Sequence, residues 1–214
     1  MTTSVLPDRR VALPPALRAP MAVAAVAAAI VLAALAVLYA ADARLWTSDG
    51  VEGPIIGQPF KPLALAIDFL AEPAGAAVLV PALVIGCLLF GRRRLAVLAV
   101  AGPVLTVGAT TAIKPLVGRT IHGDHLSFPS GHTALLTVLG LILALLLADR
   151  LRPGRAVALL LVLGAAVAFG GAMAWAQTVL SAHYATDTVG GFCTALTVVT
   201  ATAWAIDRYA DRAV

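Results

Sequence analysis

Six apolar stretches alternate with short polar connections along the chain: Met21 to Ala41, Ala74 to Gly91, Leu95 to Ile113, Thr133 to Ala148, Ala156 to Gln177 and Thr188 to Ile206. A helix of about 20 apolar residues spans the hydrocarbon core of a bilayer. The fourth stretch is short, so its helix is expected to begin inside the polar motif that precedes it. Ala, Val and Leu dominate without period-2 alternation, which favours spanning helices over a transmembrane barrel. Between the first two stretches, Leu63, Ala66, Ile67 and Leu70 recur at helical spacing within Pro62 to Glu72, and Pro73 ends the run. That pattern predicts a short helix lying at the outer surface. The expected fold is therefore all-α, a polytopic membrane bundle of about six transmembrane helices with a short outer-surface helix. Gly and Pro residues between Asp42 and Lys61 predict the longest outward connection, whereas Gly91 to Arg94 and Asp149 to Arg155 predict tight inner turns. Residues 1–19 read as a mobile cytoplasmic tail and 20–214 as a single transmembrane domain.

Composition agrees with this pattern. Hydrophobic residues make up 61% of the 214-residue chain and charged residues 12%, with a mean hydropathy of +0.96, which excludes an ordinary soluble domain. Threading six spans leaves only Arg44, Lys61, Lys114 and Arg119 of the 15 cations on one face, so the remaining 11 mark the other as cytoplasmic. Both termini are then cytoplasmic, in an integral protein expected in a bacterial plasma membrane. The net charge of +4 follows from the same bias and calls for no nucleic-acid partner. Tyr39, Trp46, Trp175 and Tyr184 fall near the outer boundary, and Trp204 and Tyr209 near the inner one, as an aromatic belt. Ala41, Asp42 and Ala43 form a small-x-small site, so a cleaved signal peptide is the alternative for the first span, although its apolar run is longer than the usual one. Cys87 and Cys193 lie within spans and read as packing residues. Gly164, Gly170 and Gly171 permit close helix contact, which serves folding and homo-oligomerisation equally.

The chemistry gathers at the outer face. Lys114 closes the third span, Arg119 follows five residues later, and the two could grip one anion if the chain turns at Pro115 and Gly118; the plainer reading of Lys114 is an interface anchor. The stretch FPSGHT, Phe128 to Thr133, places Ser130, Gly131 and His132 at a helix start. There, unpaired N–H groups and the helix dipole attract anions. A simple Ser cap beside an interfacial histidine is the alternative. His183 and Asp187 stand four apart at the mouth of the sixth span, a spacing that lets the carboxylate fix the imidazole tautomer, or that merely satisfies both groups. Topology brings Lys114, Arg119, His132, His183 and Asp187 to one membrane face. His122, Asp124 and His125 read as loop polar residues. Metal-ligand patterns such as HExxH and CxxC are absent, so no metal and no other cofactor is expected.

These residues resemble the type 2 phosphatidic acid phosphatase (PAP2) family from Lys114 to Asp187. FPSGHT matches that family's second motif in full, His183 and Asp187 match the third, and Lys114 opens the first. Ile121 and His122 stand where the family has an Arg-Pro pair, and Ala176 and Gln177 stand where it has Ser-Arg. The resemblance implies a membrane lipid phosphatase working through a phosphohistidine at the extracytoplasmic face, on a phosphomonoester or diphosphate of a polyprenyl lipid or phosphoglycerolipid. It further implies His183 as nucleophile, Asp187 as its orienting carboxylate and His132 as acid, then base. Lys114, Arg119, Ser130, Gly131 and Gln177 would hold the phosphate, with Arg119 as substitute cation. A lipid phosphotransferase using the same intermediate is the enzymatic alternative. A non-catalytic lipid-phosphate binder or transport protein is the other, motivated by Gln177 and the missing Arg-Pro pair.

Overall fold

Apolar periodicity fixes where the helices run, and the prolines and glycines fix where they stop. The computed structural model describes residues 11–41 and 58–212. Seven α-helices appear among them: α1 (Pro15–Ala41), α2 (Lys61–Phe69), α3 (Pro73–Leu89), α4 (Arg93–Val117), α5 (Gly131–Leu151), α6 (Arg155–Val179) and α7 (Ala185–Arg212). Helices α1, α4, α5, α6 and α7 are long and apolar enough to cross a membrane. Helix α3, with 17 residues, reaches that standard only together with α2, from which it is bent by 55°. The chain is thus an integral membrane protein with five long spans, or six if the bent pair is counted as one. Glu72 and Pro73 supply the bend, because proline starts a helix but cannot continue the previous one. The short helix expected before Pro73 is present as α2.

The fourth expected stretch does begin inside its motif, since α5 starts at Gly131. Helix α5 is also the axis of the bundle, with 72% of its most apolar window buried against α4, α6 and α7. That burial explains why it is apolar all round. Between α4 and α5 the chain forms a small hairpin, β1 (Thr120–Ile121) against β2 (His125–Leu126), where sequence gave only a polar loop. Its turn holds His122 at φ 51° and Gly123 at φ 91°.

The end of the bundle opposite the motifs is clamped by ions. Buried Asp207 of α7 accepts the Ala12 N–H at 2.7 Å and the Leu13 N–H at 3.1 Å, and pairs with Arg18 and Arg94. Arg92 bridges Asp149 and the Val11 carbonyl. Within the stretch read as a mobile tail to Ala19, Val11 is held by Arg92, Ala12 and Leu13 are held by Asp207, and α1 begins at Pro15; residues 1–10 lie outside the described residues. So do the outward connection after Ala41, with Trp46, and the cleavage site beyond Ala41. Cys87 and Cys193 are free and buried in the core, as read.

Helix α7 crosses the start of α5 so closely that a side chain would not fit between them. A Cβ on Gly191 would lie 2.3 Å from the Ser130 carbonyl oxygen, and one on Gly190 would lie 2.5 Å from the Phe128 ring; at Gly171 it would meet nothing within 4 Å. Gly191→Ala should therefore lower the detergent unfolding midpoint, by an overpacking cost of roughly 1–3 kcal/mol. Gly171→Ala should leave it unchanged or slightly raised. Equal midpoints for the two variants would contradict the close crossing.

Candidate active site

Each of the three motifs is delivered by a helix end on the same face of the bundle. Asp187, in the first turn of α7, is fully buried and joins all three. Its Oδ1 accepts from Arg119 Nη1 at 2.9 Å, its Oδ2 accepts from the Tyr184 N–H at 3.1 Å, and its carbonyl accepts from the Ser130 N–H at 2.9 Å. His183 Nδ1 lies 3.4 Å from Asp187 Oδ2, the geometry in which Nδ1–H donates and Nε2 keeps its lone pair. The backbone of His183 is held as well, since the Ala182 and His183 N–H groups both donate to the Gln177 carbonyl at the end of α6.

Arg119 does not sit beside Lys114 as an open anion clamp. Its guanidinium, with 0% exposure, lies between the rings of Tyr39 and Tyr184 at 3.9 and 4.1 Å, and also donates to Thr186 Oγ1 at 2.7 Å. A planar guanidinium stacks on aromatic faces and meets a carboxylate along its edge, which explains why arginine occupies this slot. Two tyrosines read as belt residues thus belong to the site's scaffold. The Arg119 carbonyl accepts the Ser127 N–H at 2.8 Å, which carries the hairpin back to the second motif. Lys114, half-buried, donates from Nζ to the Leu126 carbonyl at 2.9 Å. It lies near enough to His132 and Asp187 for its charge to act on both.

Ser130 takes the capping role. Its hydroxyl accepts from the Thr133 N–H at 3.3 Å and from Thr133 Oγ1 at 3.1 Å, while its carbonyl accepts from the Ala134 N–H. The N–H groups of Gly131 and His132 are left at the mouth of α5, with no partner among the described residues. His132 is half-buried there, with Nε2 4.0 Å from Asp68 Oδ1. The Gln177 side chain, buried at 1% exposure, donates Nε2 to the same Asp68 oxygen and contacts Met173 Sδ at 3.7 Å. Asp68 was not singled out in the sequence. The available signal was an acid on α2 among Leu63, Ala64, Ile67 and Leu70, which is difficult to distinguish from an ordinary surface acid. His122 ties the hairpin to the α6–α7 turn, its Nε2 2.7 Å from the Ser181 carbonyl, while Asp124 and His125 are exposed. Among the described residues, no three His, Cys, Asp or Glu side chains converge where a metal ion could be held.

Residues 22–210, most of the chain, match the family model described as the PAP2 superfamily. No curated protein and no solved structure matches.

Removing one member of a buried ion pair strands the other, at a cost of about 3–5 kcal/mol. Arg119→Ala should therefore fall well below the wild type in thermal stability. Leu126 and Lys114 lie outside that pair, so Lys114→Ala should keep its midpoint within about 0.5 kcal/mol of stability. Differential unfolding in detergent separates the two outcomes.

Proposed function

The chain belongs to the PAP2 superfamily, a family of phosphatases acting on lipid phosphates, and on that premise we propose a metal-independent lipid phosphate hydrolase that works through a phosphohistidine. The observation that supports it best is the placement of His183. Its Nδ1 is engaged by a carboxylate that Arg119, Tyr184 and Ser130 fix in turn, so the Nε2 lone pair is available for in-line attack.

In the first step the His183 Nε2–phosphorus bond forms as the ester P–O bond breaks, and His132 gives its proton to the departing lipid oxygen. In the second, His132 takes a proton from water, water oxygen attacks phosphorus, and phosphate leaves as Nε2 regains its lone pair. Negative charge on the transferring group is met by Lys114 and by the N–H groups of Gly131 and His132 at the mouth of α5. Ser130 shapes that mouth as the cap. Arg119 and Gln177, expected as phosphate ligands, act one step back: Arg119 holds Asp187, and Gln177 holds Asp68 with its side chain and His183 with its carbonyl. The single domain faces its site outward, opposite the arginine-rich turns, with a membrane lipid as substrate.

Detergent-purified protein should release phosphate from a lipid monophosphate, and EDTA should leave the rate unchanged. His183→Ala should lower it by at least about a thousandfold, as for loss of a nucleophile. Release that survives His183→Ala, or that EDTA abolishes, would contradict the mechanism. Lipid binding without any release would favour the non-catalytic alternative.

A further inference from the structure

The charge arrangement around His132 is lopsided. Asp68 projects from α2 to within 4.0 Å of His132 Nε2, and among the described residues no lysine or arginine lies within ion-pair distance of it. Its other partner, Gln177, brings a hydrogen bond and no charge. Glu72, in the bend between α2 and α3, also lies near enough to His132 for its charge to act on it, as do His183 and Lys114, so Asp68 and Glu72 bring two carboxylates to this side of the site. Arg119 does not redress the balance, because its guanidinium is joined to Asp187.

We infer that Asp68 is a specificity-determining residue that restricts the enzyme to phosphomonoesters of lipid alcohols and discriminates against diphosphates. The inference rests on the reading of His132 as the leaving-group acid, since that reading places Asp68 on the leaving-group side of the phosphorus. Two consequences follow from the position. A monophosphate departs as an alcohol, whose oxygen needs the proton that His132 carries, and the Asp68 carboxylate supplies a counter-charge to that imidazolium. A diphosphate departs as a phosphate monoester, an anion that needs no such proton. It must be housed within a few ångströms of Asp68, where like charges in a partly buried site repel strongly. Gln177 fits the same logic: an arginine at this position would neutralise Asp68 and create room for a second phosphate's charge.

The test compares kcat/KM within substrate pairs that share a tail, farnesyl phosphate against farnesyl diphosphate and phosphatidate against diacylglycerol diphosphate. Phosphate release is read for the full-length wild type, Asp68→Asn and Asp68→Asn/Gln177→Arg. The wild type should favour the monophosphate in each pair it hydrolyses, by on the order of tenfold or more. Asp68→Asn should bring the ratio toward unity, and the double variant should lower it further. A purely structural role for Asp68 would depress both members of a pair alike and leave the ratio in place, which would overturn the inference while the phosphatase reading stands. A wild-type preference for diphosphates would overturn it too. Failure of the wild type to hydrolyse any of the four lipids would remove the phosphatase reading itself, and this inference with it.

Discussion

The buried pair between Arg119 and Asp187 is the constraint on which the candidate site depends. Both side chains are fully sequestered, so neither charge has water to fall back on. Such a pair adds little net stability compared with an apolar filling, but it tolerates no loss of either partner. Here it also specifies position. Arg119 comes from the hairpin after α4, Asp187 from the start of α7, and the Asp187 carbonyl holds the Ser130 N–H at the start of α5. Three segments separated in sequence are thereby held at one point, with Tyr39 of α1 closing the stack from a fourth side. His183 inherits its orientation from that point.

Much of this was legible in the sequence because the signals were local. The spans announce themselves by apolar length, and α2 by helical spacing before Pro73. The histidine motifs are legible because His183 and Asp187 stand four apart and because Ser130, Gly131 and His132 head an apolar run. What remained hidden was long-range pairing. Nothing local distinguishes a cation that meets substrate from one that meets a carboxylate 68 residues away, so Arg119 read as a phosphate ligand. Tyr39 and Tyr184 read as belt residues for the same reason, since depth in the membrane was visible and the guanidinium between them was not. The bend between α2 and α3 was legible as two elements, but the delivery of Asp68 to His132 depends on how α2 lies across α6, which no spacing rule contains.

The distribution of charge gives the site its character. Arg18, Arg92 and Arg94 are committed to the opposite end of the bundle, where Asp207, Asp149 and Asp211 pair with them. At the site end, on the proposed mechanism, Lys114 and the N–H groups at the mouth of α5 hold the phosphate, with Asp68 4.0 Å from His132 beside them. Where the related motif carries an arginine, Gln177 brings that carboxylate a hydrogen bond and no opposite charge. At Gln177 and Ile121, where the family has arginines, this chain carries no charge, and a carboxylate lies 4.0 Å from His132.

Trapping the intermediate tests the central claim most directly. Full-length protein mixed with a phosphorus-labelled lipid monophosphate, quenched in alkaline detergent and mapped by mass spectrometry, should carry an acid-labile phosphoryl group on His183. The label should accumulate in His132→Ala supplied with an activated phenyl phosphate, because the base for the second step is then missing. Turnover with no label on His183, or label that persists in His183→Ala, would contradict the phosphohistidine and with it the roles assigned to Asp187 and Arg119.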